Sequence, residues 1–156
     1  MVEVFMDINV LIDYLAAREK FYDSAKKLFK LAEQKDIVMN IASVSYGHVY
    51  YLMYQYVKKT RQDEVDTHKL AIEARNAASN AVDLLLQITK CLPIDLNVIK
   101  QAHNSDFLDF EDAIQFYCAL QNPECKVIIT RDENDYKNST IPVMNPDEFL
   151  ELFYCK

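Results

Sequence analysis

Short apolar runs alternate along the chain with longer segments in which apolar residues recur every three or four positions. The short runs predict buried strands, and the longer segments predict amphipathic helices. Strands are predicted at residues 2–6, 37–39, 90–94, 126–130 and 141–144. Helices are predicted at residues 9–17, 21–34, 46–59, 62–88, 96–104, 110–121 and 146–153.

The alternation of strands and helices predicts the fold class. It is typical of an α/β protein with a mostly parallel sheet and helices on both faces, a three-layer α/β/α sandwich. No internal repeat and no stretch rich in Pro, Gly or Ser divides the sequence. We therefore predict a single domain over residues 1–156.

Polar residues with N-cap propensity precede several predicted helices. Asp95 is expected to cap the helix in "DLNVIKQAHN", and Asn145 the last helix, with Pro146 in its first position. Ser43 or Ser45 is expected to cap the helix that contains the tyrosines.

Acidic residues stand where predicted strands end or helices begin. Asp7 directly follows the first strand, and Asp132 and Asp135 follow the strand in "KVIITRDENDY". Asp109, Glu111 and Asp112 begin the helix in "FLDFEDAIQF". Ligands of parallel α/β sheets bind beyond the carboxyl ends of the strands. If the two strands are neighbours, their acids therefore share one crevice.

Each acid also has a purely structural interpretation. Asp7 and Asp109 could cap helices, Asp112 could favour a helix dipole, and Asp132 and Asp135 could be turn residues. Gathered together, however, such carboxylates would repel one another unless a cation neutralised them. Mg²⁺ or Mn²⁺ suits oxygen ligands and supports phosphodiester hydrolysis, which is the reaction class we expect.

Composition narrows the function classes. The net charge of −7 argues against a protein that coats duplex DNA, and a single glycine, Gly47, excludes a glycine-rich phosphate loop. The four cysteines lack CxxC spacing, so neither structural zinc nor a disulfide framework is expected. The sequence contains no apolar run long enough to span a membrane and no signal-peptide pattern, which predicts a cytoplasmic protein.

Four blocks, "MDINVLIDYL", "DFEDAIQFYCAL", "VIITRDENDY" and "IPVMNPDEFL", resemble in their order and spacing the PIN domain, especially the VapC-type toxins. The resemblance implies a Mg²⁺- or Mn²⁺-dependent ribonuclease, often dimeric and often neutralised by a small antitoxin. It assigns Asp7, Asp112 and Asp132 as catalytic metal ligands. It assigns supporting positions to Asn9, Asp109, Thr130 and Asp135, and Tyr136 stands where the family motif has Phe.

One position departs from the family pattern. His48 stands where the middle helix of the family usually carries a glutamate. His48 could bind Mn²⁺, position a water or contact phosphate, or it could simply face the crevice. An alternative function is therefore a catalytically weakened PIN-like module that binds RNA or protein without cleavage. A phosphatase or DNA nuclease with the same acids is a third hypothesis.

Basic and aromatic residues suggest partners. Arg131 and Lys137 lie near the expected crevice, where they could contact an RNA backbone. The tyrosines of the middle helix, Tyr46, Tyr50 and Tyr54, share a face that could form a homodimer interface or an antitoxin groove. RNA, a small antitoxin and a second copy of the chain are thus the expected partners.

Overall fold

The computed structural model describes residues 1–155, and all element bounds refer to this range. The strands are β1 (Val2–Met6), β2 (Ile37–Ala42), β3 (Thr89–Leu92), β4 (Cys125–Ile129) and β5 (Val143–Met144). The helices are α1 (Ile8–Leu15), α2 (Tyr22–Glu33), α3 (Ser43–Thr60), α4 (Thr67–Ile88), α5 (Leu96–His103), α6 (Phe110–Leu120) and α7 (Pro146–Tyr154). A 3-10 turn spans Glu133–Tyr136.

Within the described residues, the strands form one parallel sheet in the order β3-β2-β1-β4-β5. The strand order reverses at β1, because the chain first runs outward through β2 and β3 and then returns to place β4 on the other side. The crevice between β1 and β4 is therefore the switch point at which α/β sheets bind ligands.

The sheet separates two hydrophobic cores. Val4 and Met6 of β1 face a core formed with residues of α1, α2, α3, α4 and α7, whereas Phe5 faces a second core with residues of α5 and α6. This division follows from the period of two along a strand, which sends successive side chains to opposite faces. The expected three-layer α/β/α sandwich is confirmed.

The capping predictions have mixed outcomes. The side chain of Asp95 caps α5, and Asn145 and Glu148 form a capping box at α7 with Pro146 in the first turn. The Ser43 or Ser45 cap is wrong, because the N-cap residue of α3 is Ala42. Ser43 Oγ instead accepts a hydrogen bond from the backbone N–H of Ile94 at 3.2 Å, which ties α3 to the segment after β3.

Several element bounds also differ from the prediction. β2 extends to Ala42 rather than Met39, and α3 begins at Ser43 rather than Tyr46. α4 begins at Thr67 rather than near Gln62, because Asp66 accepts hydrogen bonds from the backbone N–H groups of His68 and Lys69. β5 is shortened to Val143–Met144, since only these residues pair with β4. No helix within residues 1–155 is long and apolar enough to cross a membrane.

The tyrosine face of α3 is largely internal. Tyr46, Tyr50 and Tyr54 are half-buried and pack against the first core, and Tyr46 Oη lies 2.8 Å from Thr89 Oγ1. Tyr51 and Tyr56, on other sides of the helix, are exposed. Packing inside the protein therefore accounts for much of the tyrosine face. A homodimer interface there stays a prediction.

The role of Asp95 as the cap of α5 can be tested by substitution. We expect Asp95→Ala to lower the free energy of unfolding by about 1 kcal/mol, because the backbone N–H of Val98 loses its acceptor. Urea unfolding measures the change. Asp95→Asn keeps an oxygen acceptor and should stay within a few tenths of a kcal/mol of wild type. Equal losses in both variants would contradict the capping role.

Candidate active site

The site begins at the carboxyl ends of β1 and β4. These strands are paired, and the backbone N–H of Asp7 continues the pairing by donating to the carbonyl of Ile129 at 3.0 Å. Asp7 therefore lies beside Thr130, the first residue after β4. Acids and hydroxyls separated by more than a hundred residues in the sequence meet here because the two strands are neighbours.

The Asp7 carboxylate has two different environments. Its Oδ1 caps α1 by accepting from the backbone N–H of Ile8 at 2.7 Å, whereas Oδ2 accepts from Thr130 Oγ1 at 2.7 Å. Burial raises the pKa of Asp7 to about 6, although these two hydrogen bonds act to lower it. The neighbouring carboxylates of Asp132 and Glu111 raise the pKa further. The capping interpretation of Asp7 is thus confirmed, and its second oxygen faces the crevice.

Asn9 connects the two strand ends. Its Nδ2 donates to Asp7 Oδ2 at 3.1 Å and to Asp132 Oδ2 at 2.9 Å. Thr130 Oγ1 accepts from the backbone N–H of Asp132 at 3.0 Å, which fixes the start of the loop after β4. An amide donor between two carboxylates lowers their mutual repulsion.

The start of α6 supplies further acids. Asp109 is the N-cap, and its Oδ1 accepts from the backbone N–H groups of Glu111 and Asp112 at 2.8 and 3.1 Å. Burial raises the pKa of Asp112 to about 7, and the carboxylates of Asp7, Asp109, Asp135 and Glu111 add to the rise. We call Asp7, Asp109, Glu111, Asp112, Asp132 and Asp135 the acidic cluster.

His48 contacts the acidic cluster through Glu111. Its Nδ1 lies 2.9 Å from Glu111 Oε1, and both side chains are partly exposed. Glu111 in turn raises the pKa of both Asp7 and Asp112. A carboxylate is therefore present beside the site, but it comes from α6 and is held by the histidine of α3.

Arg131 lies between Thr130 and Asp132 but its side chain turns toward α1. Its Nε donates to Asp13 Oδ2 at 2.5 Å, and its guanidinium lies 4.1 Å from the centre of the Phe21 ring. Asp13 is 1% exposed and also pairs with Arg18 at 3.5 Å. These contacts hold the loop after β4 against α1. Lys137, by contrast, is exposed and lines a small cavity beside Asp112 and Asp135.

Tyr136 is a buried residue that directly follows Asp135 of the acidic cluster. It ends the 3-10 turn, is 1% exposed, and its ring packs in the second core. Burial raises the pKa of its phenol far above the usual range, and the carboxylates of Asp7, Asp112 and Asp135 raise it further. The phenol is therefore a neutral hydroxyl that faces the acidic cluster.

The donor set can be tested against a divalent cation. No three His, Cys, Asp or Glu side chains among the described residues form a ready-made metal-binding group. Mg²⁺, however, keeps several waters and is usually held by one or two carboxylates together with substrate phosphate. Asp7 and Asp112 fit such a cation, because burial and neighbouring carboxylates raise the pKa of both, and a positive charge would offset the cost of keeping them ionised.

Two cavities adjoin the acidic cluster. A small one of about 50 Å³ is lined by Asp109, Asp112, Asp135 and neighbouring residues of the two loops. A larger groove of about 580 Å³ opens on the His48 and Glu111 side, with aliphatic walls formed by Val44, Ile94, Ile99 and Ile114. The acids thus lie next to a groove large enough for an extended ligand.

The predicted site residues therefore occupy one region. Asp7, Asn9, Thr130 and Asp132 are joined by hydrogen bonds, and Asp109, Asp112 and Asp135 approach from α6 and the 3-10 turn. The sequence pattern indicates no role for Asp13, and it places Glu111 and Tyr136 beside the site without a specific role. The signal for Glu111 was its place one residue before Asp112. Asp13 had no separate signal, because its partner Arg131 is distant in the chain.

Carboxylates at the switch point of a parallel α/β/α sandwich define a recognisable class of proteins. The chain belongs to the PIN-domain family. The family model described as PIN domain matches residues 3–134. No curated protein matches the sequence. The fold is similar to a chain in the crystal structure of VapBC2 from Rickettsia felis bound to a DNA fragment from their promoter. That match has a TM-score of 0.59 and 11% sequence identity, and it covers 93% of this chain and 98% of that chain.

The raised pKa values predict a pH-dependent stability. Protonation of Asp7 and Asp112 stabilises the folded chain below the unfolded pKa near 4, and this contribution is lost as pH rises through about 6 and 7. In EDTA, the free energy of unfolding of Asp112→Asn relative to wild type should therefore increase from pH 5 to pH 8.

Urea unfolding at both pH values measures this difference, and Asp83→Asn, an exposed acid of α4, is the control. The control should follow wild type at both pH values. A constant difference between Asp112→Asn and wild type would show that the pKa of Asp112 is not raised in the folded chain.

Proposed function

We propose that this chain is a metal-dependent endoribonuclease that hydrolyses RNA phosphodiesters, and that it is the toxin of a toxin–antitoxin pair. The main support is the presence of Asp7 and Asp112 at the switch point, where burial and, less strongly, neighbouring carboxylates raise the pKa of both acids. Membership of the PIN-domain family supports the reaction class.

Asp7, Asp112 and Asp132 would hold Mg²⁺ or Mn²⁺, which supplies a water of lowered pKa and neutralises charge on the scissile phosphate. Thr130 and the backbone N–H of Ile8 keep the Asp7 carboxylate oriented. Asn9 keeps Asp132 beside it. Asp109 and Asp135 assist through water, and Asp109 also fixes the start of α6.

The surroundings of the acids suit a nucleic-acid strand. The groove beside His48 and Glu111 offers about 580 Å³ next to the acids, room for a nucleotide. His48, on its rim, would contact phosphate when protonated. Lys137 would contact the RNA backbone. Arg131 would contribute mainly through position, because Asp13 and Phe21 already engage its guanidinium.

The first test replaces the ligands. Asp7→Asn and Asp112→Asn should each lower Mn²⁺-dependent cleavage of a labelled RNA by at least about 100-fold, because a neutral amide binds the cation far less well than a carboxylate. Circular dichroism confirms folding of each variant. Asp83→Asn should retain the wild-type rate, and a wild-type rate in Asp7→Asn would refute the assignment.

The same assay separates the alternative function. A non-catalytic module, which the His48 substitution favours, would shift the RNA in a gel without Mn²⁺-dependent products. Cleavage of DNA in preference to RNA would indicate a DNA nuclease instead. The ratio of products from matched RNA and DNA oligonucleotides therefore decides between the hypotheses.

We further propose a small antitoxin and a second copy of the chain as partners. The family and the fold shared with a chain of the VapBC2 complex support these proposals. Light scattering of the chain alone should give twice the mass of 18.2 kDa. Addition of the product of a small neighbouring reading frame should raise the mass and inhibit cleavage. A monomer would contradict the dimer, and unchanged cleavage would contradict the antitoxin.

A further inference from the structure

Tyr136 has a buried hydroxyl whose role the fold does not explain. Its ring packs in the second core at 6.4 Å from the Phe107 ring, in an edge-on arrangement. Packing accounts for the ring but not for the oxygen. Among the described residues, Tyr136 Oη is buried and has no hydrogen-bond partner.

The hydroxyl faces the acidic cluster. The carboxylates of Asp7, Asp112 and Asp135 raise the pKa of the phenol, and Asp7 also acts on it through a side-chain contact. That contact lacks the geometry of an ordinary hydrogen bond, so the hydroxyl stays unpartnered. A buried polar group without a partner is unfavourable, and folded proteins usually satisfy it with ordered water or an ion. A hydroxyl aimed at carboxylates has only its proton to offer, so its missing partner is an acceptor.

We propose that Tyr136 is a positioning residue of the cation site, whose hydroxyl donates a hydrogen bond to a water that the bound cation holds between Asp7 and Asp112. The inference rests on the proposed function and extends it to this side chain. A divalent ion of this kind retains several waters, and these need acceptors and donors in the surrounding protein. Phe would fill the same space but leave that water without this partner.

The role predicts opposite effects with and without the cation. In the cation-free chain the Tyr136 hydroxyl is unsatisfied, so its removal should leave the melting temperature unchanged or raise it. In the loaded chain its removal breaks a hydrogen bond to the coordinated water. If the hydroxyl were purely structural, its removal would instead lower the melting temperature equally in both states.

The experiment compares Tyr136→Phe with wild type by Mn²⁺ titration of the full chain without RNA, followed by electron paramagnetic resonance. We expect about tenfold weaker Mn²⁺ binding, the lower end of the range for residues that orient metal ligands. Thermal unfolding in EDTA and in Mn²⁺ provides the second readout. Tyr46→Phe, which loses a hydroxyl bonded to Thr89, is the control and should bind Mn²⁺ as wild type does.

A measurement on the wild-type chain guards against misfolding of the variant. With tyrosines labelled at ¹³Cζ, the resonance of Tyr136 should shift on addition of Mg²⁺, whereas that of Tyr46 should not. Equal Mn²⁺ affinity in wild type and Tyr136→Phe, or an unmoved Tyr136 resonance, overturns this inference alone. A wild-type chain that does not bind Mn²⁺ overturns the proposed function and the inference together.

Discussion

The pairing of β1 with β4 is the constraint on which the site depends. It places the Asp7 carboxylate, 4% exposed, against Thr130 at the carboxyl end of the sheet. Desolvation of a carboxylate is unfavourable, and the hydrogen bonds from Ile8, Thr130 and Asn9 offset only part of it. The part of this desolvation cost that is not offset raises the pKa of Asp7. A cation near Asp7 would therefore stabilise the folded chain.

The loop after β4 is held from outside the site. Asp13, six residues after the cap of α1, pairs with Arg131, whose backbone lies between Thr130 and Asp132. The guanidinium stacks on Phe21, which adds a cation–π contact. A buried carboxylate without its cation would be strongly unfavourable, so this pair fixes the position of the loop. The ion pair of Asp13 and Arg131 thus supports the acidic cluster from outside it.

The histidine of α3 pairs with a carboxylate at the edge of the site. His48 Nδ1 lies 2.9 Å from Glu111 Oε1 of α6. The negative charge at this side of the site therefore comes from the helix that also carries Asp112. Glu111 is more exposed than Asp7, so its charge is less desolvated.

The sequence by itself determined the layers and most elements, because hydrophobic periodicity and cap residues such as Asp95 and Asn145 act over a few residues. It also indicated the acids at strand ends. It failed at Ser43, whose hydroxyl serves a distant backbone N–H rather than its own helix. It also could not show that Asp13 pairs with Arg131 or that His48 meets Glu111.

Only the tertiary structure decided which side chains meet. The strand order places β4 beside β1, and this one neighbour relation brings Asp7 and Asn9 to Thr130 and Asp132 across more than a hundred residues. Local patterns carry no information about such pairings. They arise from how the whole sheet buries its two faces, and the same burial raises the pKa values of Asp7 and Asp112.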